Sequence, residues 1–341
     1  DAIDEGVGKL KEVDGIGPVR AERIVTAWES QKQIREIMVF LQGYGVGTTY
    51  GVKIFKMYGD RAISIVKENP YRLALDISGI GFKTADKIAR SMGIDPASQM
   101  RAEAGLIHLL NELVSDGHVY YPQEGLFEMA ASLLEVTPGV LEDALMSLSQ
   151  QGRVTVEDGP EHKAVYLTPL YVAELNIARK LRTLMEWPKQ LLQIDVEKAI
   201  DQVQRAGGVM LADMQKESLR KALQGKALIL TGGPGTGKTT LVKSIVSILG
   251  NERQSIVLAS PTGRAAKRLS EVTGWEAKTI HRLLEYSPSH GGFKRNEDNP
   301  LAADLVIIDE ASMVDILLMN HLLKAIPTLA TLVMVGDVDK L

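Results

Sequence analysis

Cysteine is absent from the 341-residue sequence, which excludes disulfides and thiolate metal sites and agrees with a reducing compartment. Long apolar runs are absent too: none approaches the ~18 residues that cross a bilayer, and no charged-then-apolar segment opens the chain. These absences point to a soluble, cytoplasmic protein without a membrane partner. A chain of this length exceeds one core, and at ~100–200 residues per domain it should hold two or three domains. An excess of positive charge is also missing, since 39 Lys and Arg face 43 Asp and Glu for a net charge of −4. Along the chain that balance is uneven. Residues 1–100 carry 14 basic against 13 acidic side chains, residues 101–175 carry 3 against 12, and residues 176–341 carry 22 against 18. A polyanion should therefore bind the outer thirds and avoid the middle one.

The stretch ALILTGGPGTGKTTL (227–241) contains Gly232, four residues, then Gly237, Lys238 and Thr239, a complete P-loop. Apolar residues at 227–230 read as a buried strand, and 241–249 carry apolar residues at helical spacing, so the strand and helix that the motif requires flank it. Glycines at 232, 233, 235 and 237 let the backbone aim its N–H groups, with the helix N-terminus, at a polyphosphate. Lys238 would bridge the terminal phosphates, and the Thr239 hydroxyl would hold Mg²⁺. A Gly-rich turn without a ligand is the bland alternative.

The first hundred residues repeat themselves. Gly15-Ile16-Gly17, followed by Ala21, Arg23 and Ile24, recurs as Gly45-Val46-Gly47 with Gly51, Lys53 and Ile54, and again as Gly79-Ile80-Gly81 with Ala85, Lys87 and Ile88. A small residue and an Ile at fixed offsets keep one helix face tight and apolar, and the glycines permit a very short turn. Each copy reads as helix, hairpin, helix and resembles the helix-hairpin-helix modules whose amides hold a DNA phosphate without reading bases. The copies could equally serve only as packing units. Arg20 and Arg23, or Lys83 and Lys87, make the first and third copies the better DNA binders. The middle copy, with Gly51 in the small-residue slot beside Tyr44 and Tyr50, is the more doubtful one.

Residues 101–114 are helical in pattern, followed by a short β-prone stretch at 118–121. Two amphipathic segments, 126–134 and 140–149, then flank Thr137-Pro138-Gly139, with Thr137 a candidate N-cap and Pro138 at N1. Residues 153–157 and 164–167 alternate like two strands around Asp158-Gly159-Pro160. Helices and a hairpin in this order suggest a winged helix. Its second helix carries Glu142 and Asp143 and no Lys or Arg, so repulsion from phosphate favours a structural or protein-contact role over DNA reading. Residues 168–184 look helical until Trp187-Pro188 breaks the pattern.

Beyond the P-loop, residues 256–259, 305–308 and 332–335 read as further buried parallel strands, hence an open α/β sheet with its ligand at the strands' carboxyl ends. At one such end stand Asp309 and Glu310. The Asp can hold Mg²⁺ through water and the Glu can polarise an attacking water; without the P-loop, such a pair would read as a solvated turn.

The words around these residues carry a family resemblance. GGPGTGKTT (232–240), ASPTGRAAKRL (259–269), TIHRLL (279–284), IIDEASMVD (307–315) and VGDVDKL (335–341) resemble, in this order, the first motifs of RecD-like superfamily-one ATP-dependent DNA helicases. Helix-hairpin-helix repeats followed by an acidic winged region are similar to the long bacterial branch of that family. The resemblance implies ATP and Mg²⁺ as cofactors, with Gly233, Gly235, Thr236, Gly237, Lys238, Thr239 and Thr240 around the phosphates, Thr239 and Asp309 on Mg²⁺ and Glu310 as catalytic base. It places Gln215 at adenine, and Lys340 in the motif that senses the terminal phosphate, where relatives carry Gln. It implies DNA partners, single-stranded and duplex, through Gly15, Gly17, Arg20, Arg23, Gly79, Gly81, Lys83 and Lys87 in the repeats and through Thr262, Arg264, Lys267, Thr279 and His281 along a single-strand track. For His281, internal packing is the competing reading. The segment 286–300, with Gly291-Gly292-Phe293 at its centre, fits a strand-separating pin that would bring Phe293 to DNA; as bare sequence it is a flexible polar loop.

The domains implied are helix-hairpin-helix repeats at 1–98, a winged-helix-like acidic domain at 99–178, a helical linker at 179–207 and a RecA-like P-loop domain at 208–341. A second RecA-like domain is expected to be missing, and the first residue, Asp1, is not a Met, so the chain reads as a fragment. The activity implied is 5′-to-3′ translocation and duplex unwinding in DNA repair or recombination. An ATP-switched DNA scaffold or loader is the alternative, a P-loop phosphotransferase with borrowed DNA-binding modules is a third, and protein partners would dock on the acidic winged region.

Overall fold

The computed structural model describes residues 16–45, 47–188, 194–207, 210–233, 235–251, 254–288 and 291–337. The chain divides into two compact units, residues 1–168 and 169–341. Among the described residues no helix is long and apolar enough to cross a membrane.

In the first unit, helix α1 (Pro18–Gly43) starts where extended Gly17 hands over to Pro18, whose fixed φ suits the first helical position. α1 runs for 26 residues up to the second Gly-x-Gly turn, so it serves both as the second helix of the first copy and as the first helix of the next. The expected separate helix-hairpin-helix copies are in this respect one shared helix. The chain continues through α2 (Gly51–Tyr58), α3 (Ala62–Glu68), α4 (Arg72–Asp76) and α5 (Phe82–Ser91). The small-residue slots have a steric cause. Ala21 and Ala85 are fully buried, and a Cβ on Gly51 would come within 2.7 Å of Met38 Cγ on α1.

A second layer of this unit holds α6 (Gln99–Ser115), β1 (Tyr120–Pro122), α7 (Gln123–Leu134), α8 (Pro138–Gln150), β2 (Val154–Asp158) and β3 (Lys163–Leu167). The strands form an antiparallel sheet in the order β1-β3-β2. Leu106, Leu126, Leu141 and Leu148, all fully buried, pack the three helices under that sheet together with Phe82 and Ala85 of the third repeat. Thr137 does occupy the N-cap of α8 with Pro138 behind it, but its hydroxyl accepts no capping hydrogen bond. The fully buried Arg101 ties the two layers. Its guanidinium meets Asp86 of α5 (Nε to Oδ1 2.8 Å, Nη2 to Oδ2 3.2 Å) and donates from Nη1 to the carbonyls of Pro96 (2.8 Å) and Leu134 (2.7 Å).

The second unit begins with α9 (Thr168–Glu186), which ends at Trp187 as expected, then α10 (Val196–Gly207) and α11 (Asp213–Gln224). A five-stranded parallel sheet follows, built from β4 (Ala227–Thr231), β5 (Ile256–Ser260), β6 (Ala277–Thr279), β9 (Leu305–Ile308) and β10 (Thr331–Gly336) in the order β4-β10-β9-β5-β6. Its helices are α12 (Lys238–Asn251), α13 (Gly263–Thr273), α14 (Ile280–Leu283) and α15 (Ile316–Ala325), and a short antiparallel pair, β7 (Tyr286–Ser287) with β8 (Gly292–Phe293), stands between α14 and β9. Four of the five strands lie where apolar runs placed them; β6, three residues long, was not foreseen. Strand residues alternate between faces. Leu258, Ile307 and Val333 pack with Leu241, Val242 and Ile245 of α12, while Ala259, Ile308 and Leu332 pack with Leu322 and Leu323 of α15.

Candidate nucleotide and nucleic-acid sites

At the carboxyl end of β4 the chain turns through Gly235 (φ +79°) and Gly237 (φ +86°), conformations that a side chain would strain, and enters α12 at Lys238. The Lys238 ammonium lies inside this turn. It donates to the carbonyls of Gly232 and Gly233, the latter at 2.9 Å, and pairs with the carboxylate of Asp337, which follows β10. Thr236 Oγ1 donates to the Gly233 carbonyl at 2.9 Å, and Thr239 and Thr240 stand in the first turn of α12. Gln215 braces the loop from α11. Its Oε1 accepts from the Ala212 amide (2.9 Å), and its Nε2 donates to the Thr236 carbonyl (3.1 Å). A Cβ on Gly237 would overlap that amide nitrogen, which gives the glycine a second reason to be there.

Asp309 leaves β9 with its amide donating to Ala259 of β5 at 2.9 Å. Burial and the neighbouring Glu310 charge push its carboxyl above the usual carboxylate range, against the opposing pull of Arg268 and Lys238. Glu310 sits at φ +53° and caps a 3₁₀ turn, Ala311–Met313, that packs on Gly336, where an added Cβ would meet the Ser312 amide at 3.3 Å. A non-glycine residue held left-handed costs energy, and such strain is concentrated at functional positions. Lys238, Thr239, Asp309, Glu310 and Asp337 thus gather at the carboxyl ends of three adjacent strands. Oxygen donors from one hydroxyl and one half-buried carboxylate suit Mg²⁺, which keeps much of its shell as water and substrate phosphate. Among the described residues there is no group of three or more His, Cys, Asp or Glu side chains that could hold a metal ion.

The residues expected along a strand track divide into two kinds. Thr262 and Thr279 are N-caps, their hydroxyls accepting from the Ala265 amide (3.3 Å) and the Arg282 amide (3.2 Å), so each marks a helix start at the same sheet edge. Arg264 and Lys267 are exposed on α13, with Lys267 3.9 Å from Glu271. His281 and Phe293 instead belong to a ring cluster: Phe293 lies 5.6 Å from His281, 5.0 Å from Tyr286 and 4.7 Å from His321 between centroids. Phe293 therefore packs at the base of the β7–β8 hairpin onto α14 and α15. Burial and the Lys324 charge push His321 below its ordinary value, against the pull of Asp315.

In the repeats, Arg20, Arg23 and Lys83 are exposed, Gly17 and Gly81 are the extended N-caps of α1 and α5, and Gly79 requires its φ of +96°. Lys87 is engaged elsewhere than expected. Its ammonium donates to the Gly45 carbonyl of the middle hairpin at 3.1 Å, while Lys53 of the middle copy donates to Ser78 (2.8 Å) and Tyr50 to Gly79 (3.0 Å) of the third hairpin. The middle and third copies clasp each other through repeat-equivalent lysines. Gly15 and Lys340 lie outside the described residues.

Two participants, Asp337 and Arg101, have no role assigned from the sequence, and Lys53 appears there only as a repeat position. Asp337 follows a buried strand just as Asp309 does, a signal that could have found it. Lys53 shares with Lys87 its offset of eight from the first glycine of its copy. For Arg101 nothing local distinguished a buried anchor from a helix-surface cation.

A P-loop domain with an acidic pair at the end of the next strand but one is the architecture of a nucleoside-triphosphate-binding protein. The sequence comparisons narrow that class. Residues 215–341 match the family described as AAA domain, and residues 30–120 match the ATP-dependent RecD2 DNA helicase HHH domain. The whole chain aligns at 32% identity with 48% of the ATP-dependent RecD2 DNA helicase of Deinococcus radiodurans. The RecBCD enzyme subunit RecD of Mycolicibacterium smegmatis is 36% identical over 42% of this chain and 30% of its own length. The ATP-dependent DNA helicase dda of Enterobacteria phage T4 is 40% identical over 32% of this chain and 26% of its own. The chain resembles the RecD-like superfamily-one helicases along its entire length, and it spans about half the length of the first of these relatives.

Proposed function

We propose that this protein couples hydrolysis of Mg²⁺–ATP to 5′-to-3′ movement along single-stranded DNA and to separation of the duplex ahead, in DNA repair or recombination in the cytoplasm. The observation that carries this proposal is the shared sheet edge. The P-loop, Asp309 and Glu310 stand at the same carboxyl ends as the capped starts of α13 and α14, so a nucleotide reaching from β4 to β9 ends one strand from β5 and two from β6, where a DNA strand would lie. The names of the relatives support the same activity.

In this proposal Lys238 exchanges its carbonyl and Asp337 partners for terminal phosphate oxygens, while the P-loop amides of Gly233, Gly235, Thr236 and Gly237 and the first turn at Thr239 and Thr240 surround the phosphates. Thr239 and Asp309 hold Mg²⁺, Glu310 orients the attacking water, and Lys340 is assigned, by the resemblance alone, to sensing the terminal phosphate. Mg²⁺, when bound, neutralises charge developing on the phosphates. Gln215, already fixed beside the loop, presents the remaining amide valence to adenine. Thr262, Arg264, Lys267, Thr279 and His281 line the strand, and the β7–β8 hairpin, anchored by Phe293, splits the duplex.

The repeats bind duplex phosphates. Because the middle and third copies clasp, the middle copy, the more doubtful DNA binder by sequence, acts together with the third. The α6–β1–α7–α8–β2–β3 order with sheet order β1-β3-β2 supports a winged-helix-like unit, whose acidic α8 faces protein partners. The domain limits proposed are those expected from the sequence, with α9 continuing through residue 178 as a single helix.

Strand displacement tests the function. The protein in its full natural length should release a strand from duplexes with a 5′ tail, with ATP, and not from blunt or 3′-tailed ones. DNA binding without displacement would favour the ATP-switched scaffold.

A further inference from the structure

Among the described residues, three buried side-chain oxygens have no hydrogen-bond partner: those of Ser98, Ser260 and Ser312. A buried hydroxyl left unpaired is a cost that native structures rarely carry without a reason. Ser260 is the most completely enclosed of these, at 0% exposure, and it is the last residue of β5.

Its surroundings follow from the sheet register. Leu258 pairs with Ile307 and Ala259 with Ile308, and the Asp309 amide donates to the Ala259 carbonyl at 2.9 Å, so the next rung sets Ser260 beside Asp309. Leu258 and Ile307 pack against α12, whereas Ala259 and Ile308 pack on the opposite face. Alternation therefore turns both Ser260 and Asp309 toward α12, the helix that begins with Lys238 and Thr239. The unpaired hydroxyl thus neighbours the carboxylate assigned to Mg²⁺, inside the fold, with no protein group to satisfy it.

We propose that Ser260 is a positioning residue for Mg²⁺. Its hydroxyl is kept without a protein partner because, once Lys238 leaves Asp337 for the phosphates and the site opens, its partner is a water of the hydration shell of the ion that Asp309 anchors, and Mg²⁺ characteristically retains such waters. Outer-shell partners of this kind fix the ligand carboxylate and the ion's waters, and losing one costs roughly 10–100-fold in metal affinity. The inference rests on the assignment of Asp309 to Mg²⁺ made above.

The test is a Mg²⁺ titration of a fluorescent ATP analogue on the 341-residue chain and on Ser260→Ala and Ser260→Thr, with thermal unfolding of each without nucleotide. Ser260→Ala should bind the analogue as the unmodified chain does in the absence of Mg²⁺, yet need about ten-fold more Mg²⁺ to reach half of the metal-dependent gain. Its unfolding temperature without nucleotide should be equal or higher, because a hydroxyl without a partner is removed. Ser260→Thr, which keeps the hydroxyl, should keep the Mg²⁺ requirement of the unmodified chain. A lowered unfolding temperature in Ser260→Ala, or an unchanged Mg²⁺ requirement, overturns the inference: the hydroxyl would then be structural or idle. No Mg²⁺-dependent binding by the unmodified chain would overturn the Asp309 assignment, and the role of Ser260 with it.

Discussion

Lys238, the first residue of α12, is paired with Asp337, the residue that follows β10 on the adjacent strand. The two side chains keep only 18% and 11% of their surface exposed, so the charge of the lysine is balanced within the fold by one carboxylate and two backbone carbonyls. In the proposed function, a triphosphate entering the loop replaces those oxygens with its own. The motif that contains Asp337 is thereby linked to the arrival of nucleotide, and Gly336 links it in turn to the turn carrying Glu310, which packs directly on it.

The Arg101–Asp86 pair should be a main stabiliser of the first unit. Tyr71 also donates to Asp86 (2.7 Å), as does Arg90 (3.1 Å). Burial pushes the Asp86 carboxyl up, but the hydrogen bonds from Arg101 and Tyr71 and the charges of Arg101 and Arg90 outweigh it and hold the group below its ordinary range. A carboxylate depressed in the folded state stabilises above its unfolded value, ~3.9, and that contribution is lost as pH falls through the folded value. Arg101→Met should cost about 3–5 kcal/mol at neutral pH, because it strands a buried charge. In urea unfolding, Asp86→Asn should be less stable than the unmodified chain at pH 7, and the gap should narrow below pH ~4. A gap that stays constant with pH would show that the carboxylate charge is not what Arg101 needs.

The crossed lysines of the repeats give a salt signature. An ammonium has three donors, and Lys53 and Lys87 each spend one on a hairpin carbonyl, leaving two toward solvent beside the hairpin amides. Lys53→Met and Lys87→Met should each weaken duplex DNA binding for all sequences alike and each reduce the slope of log affinity against log salt by about 0.9. Fluorescence anisotropy over a salt series measures this. If Lys53→Met leaves the slope untouched while Lys87→Met lowers it, the middle copy is only a packing unit.

Much of the nucleotide site was legible in the sequence because it obeys local rules. Buried strands announced themselves as apolar runs, and the residues just past them, Lys238, Asp309 and Glu310, fell where a parallel sheet presents its ligands. What escaped depended on partners distant in the chain. Arg101 reads as an ordinary helical cation until Asp86 and the carbonyls of Pro96 and Leu134 close around it, and the tie from Lys87 to the Gly45 carbonyl joins residues far apart in sequence. β6 was missed because Ala277, Lys278 and Thr279 offer neither length nor an apolar run, being held in the sheet by β5. Ser260 could be recognised only from the absence of a partner, which no sequence displays.

The central claim is that Lys238 binds nucleotide while Glu310 acts only in hydrolysis, and calorimetric Mg²⁺–ATP binding to Lys238→Ala and Glu310→Gln tests it most directly. Two charge-assisted hydrogen bonds to phosphate make the expected loss in Lys238→Ala on the order of 100-fold or more, whereas Glu310→Gln should bind within about three-fold of the unmodified chain. Full-affinity binding by Lys238→Ala, or equal losses in the two variants, would contradict this division of roles.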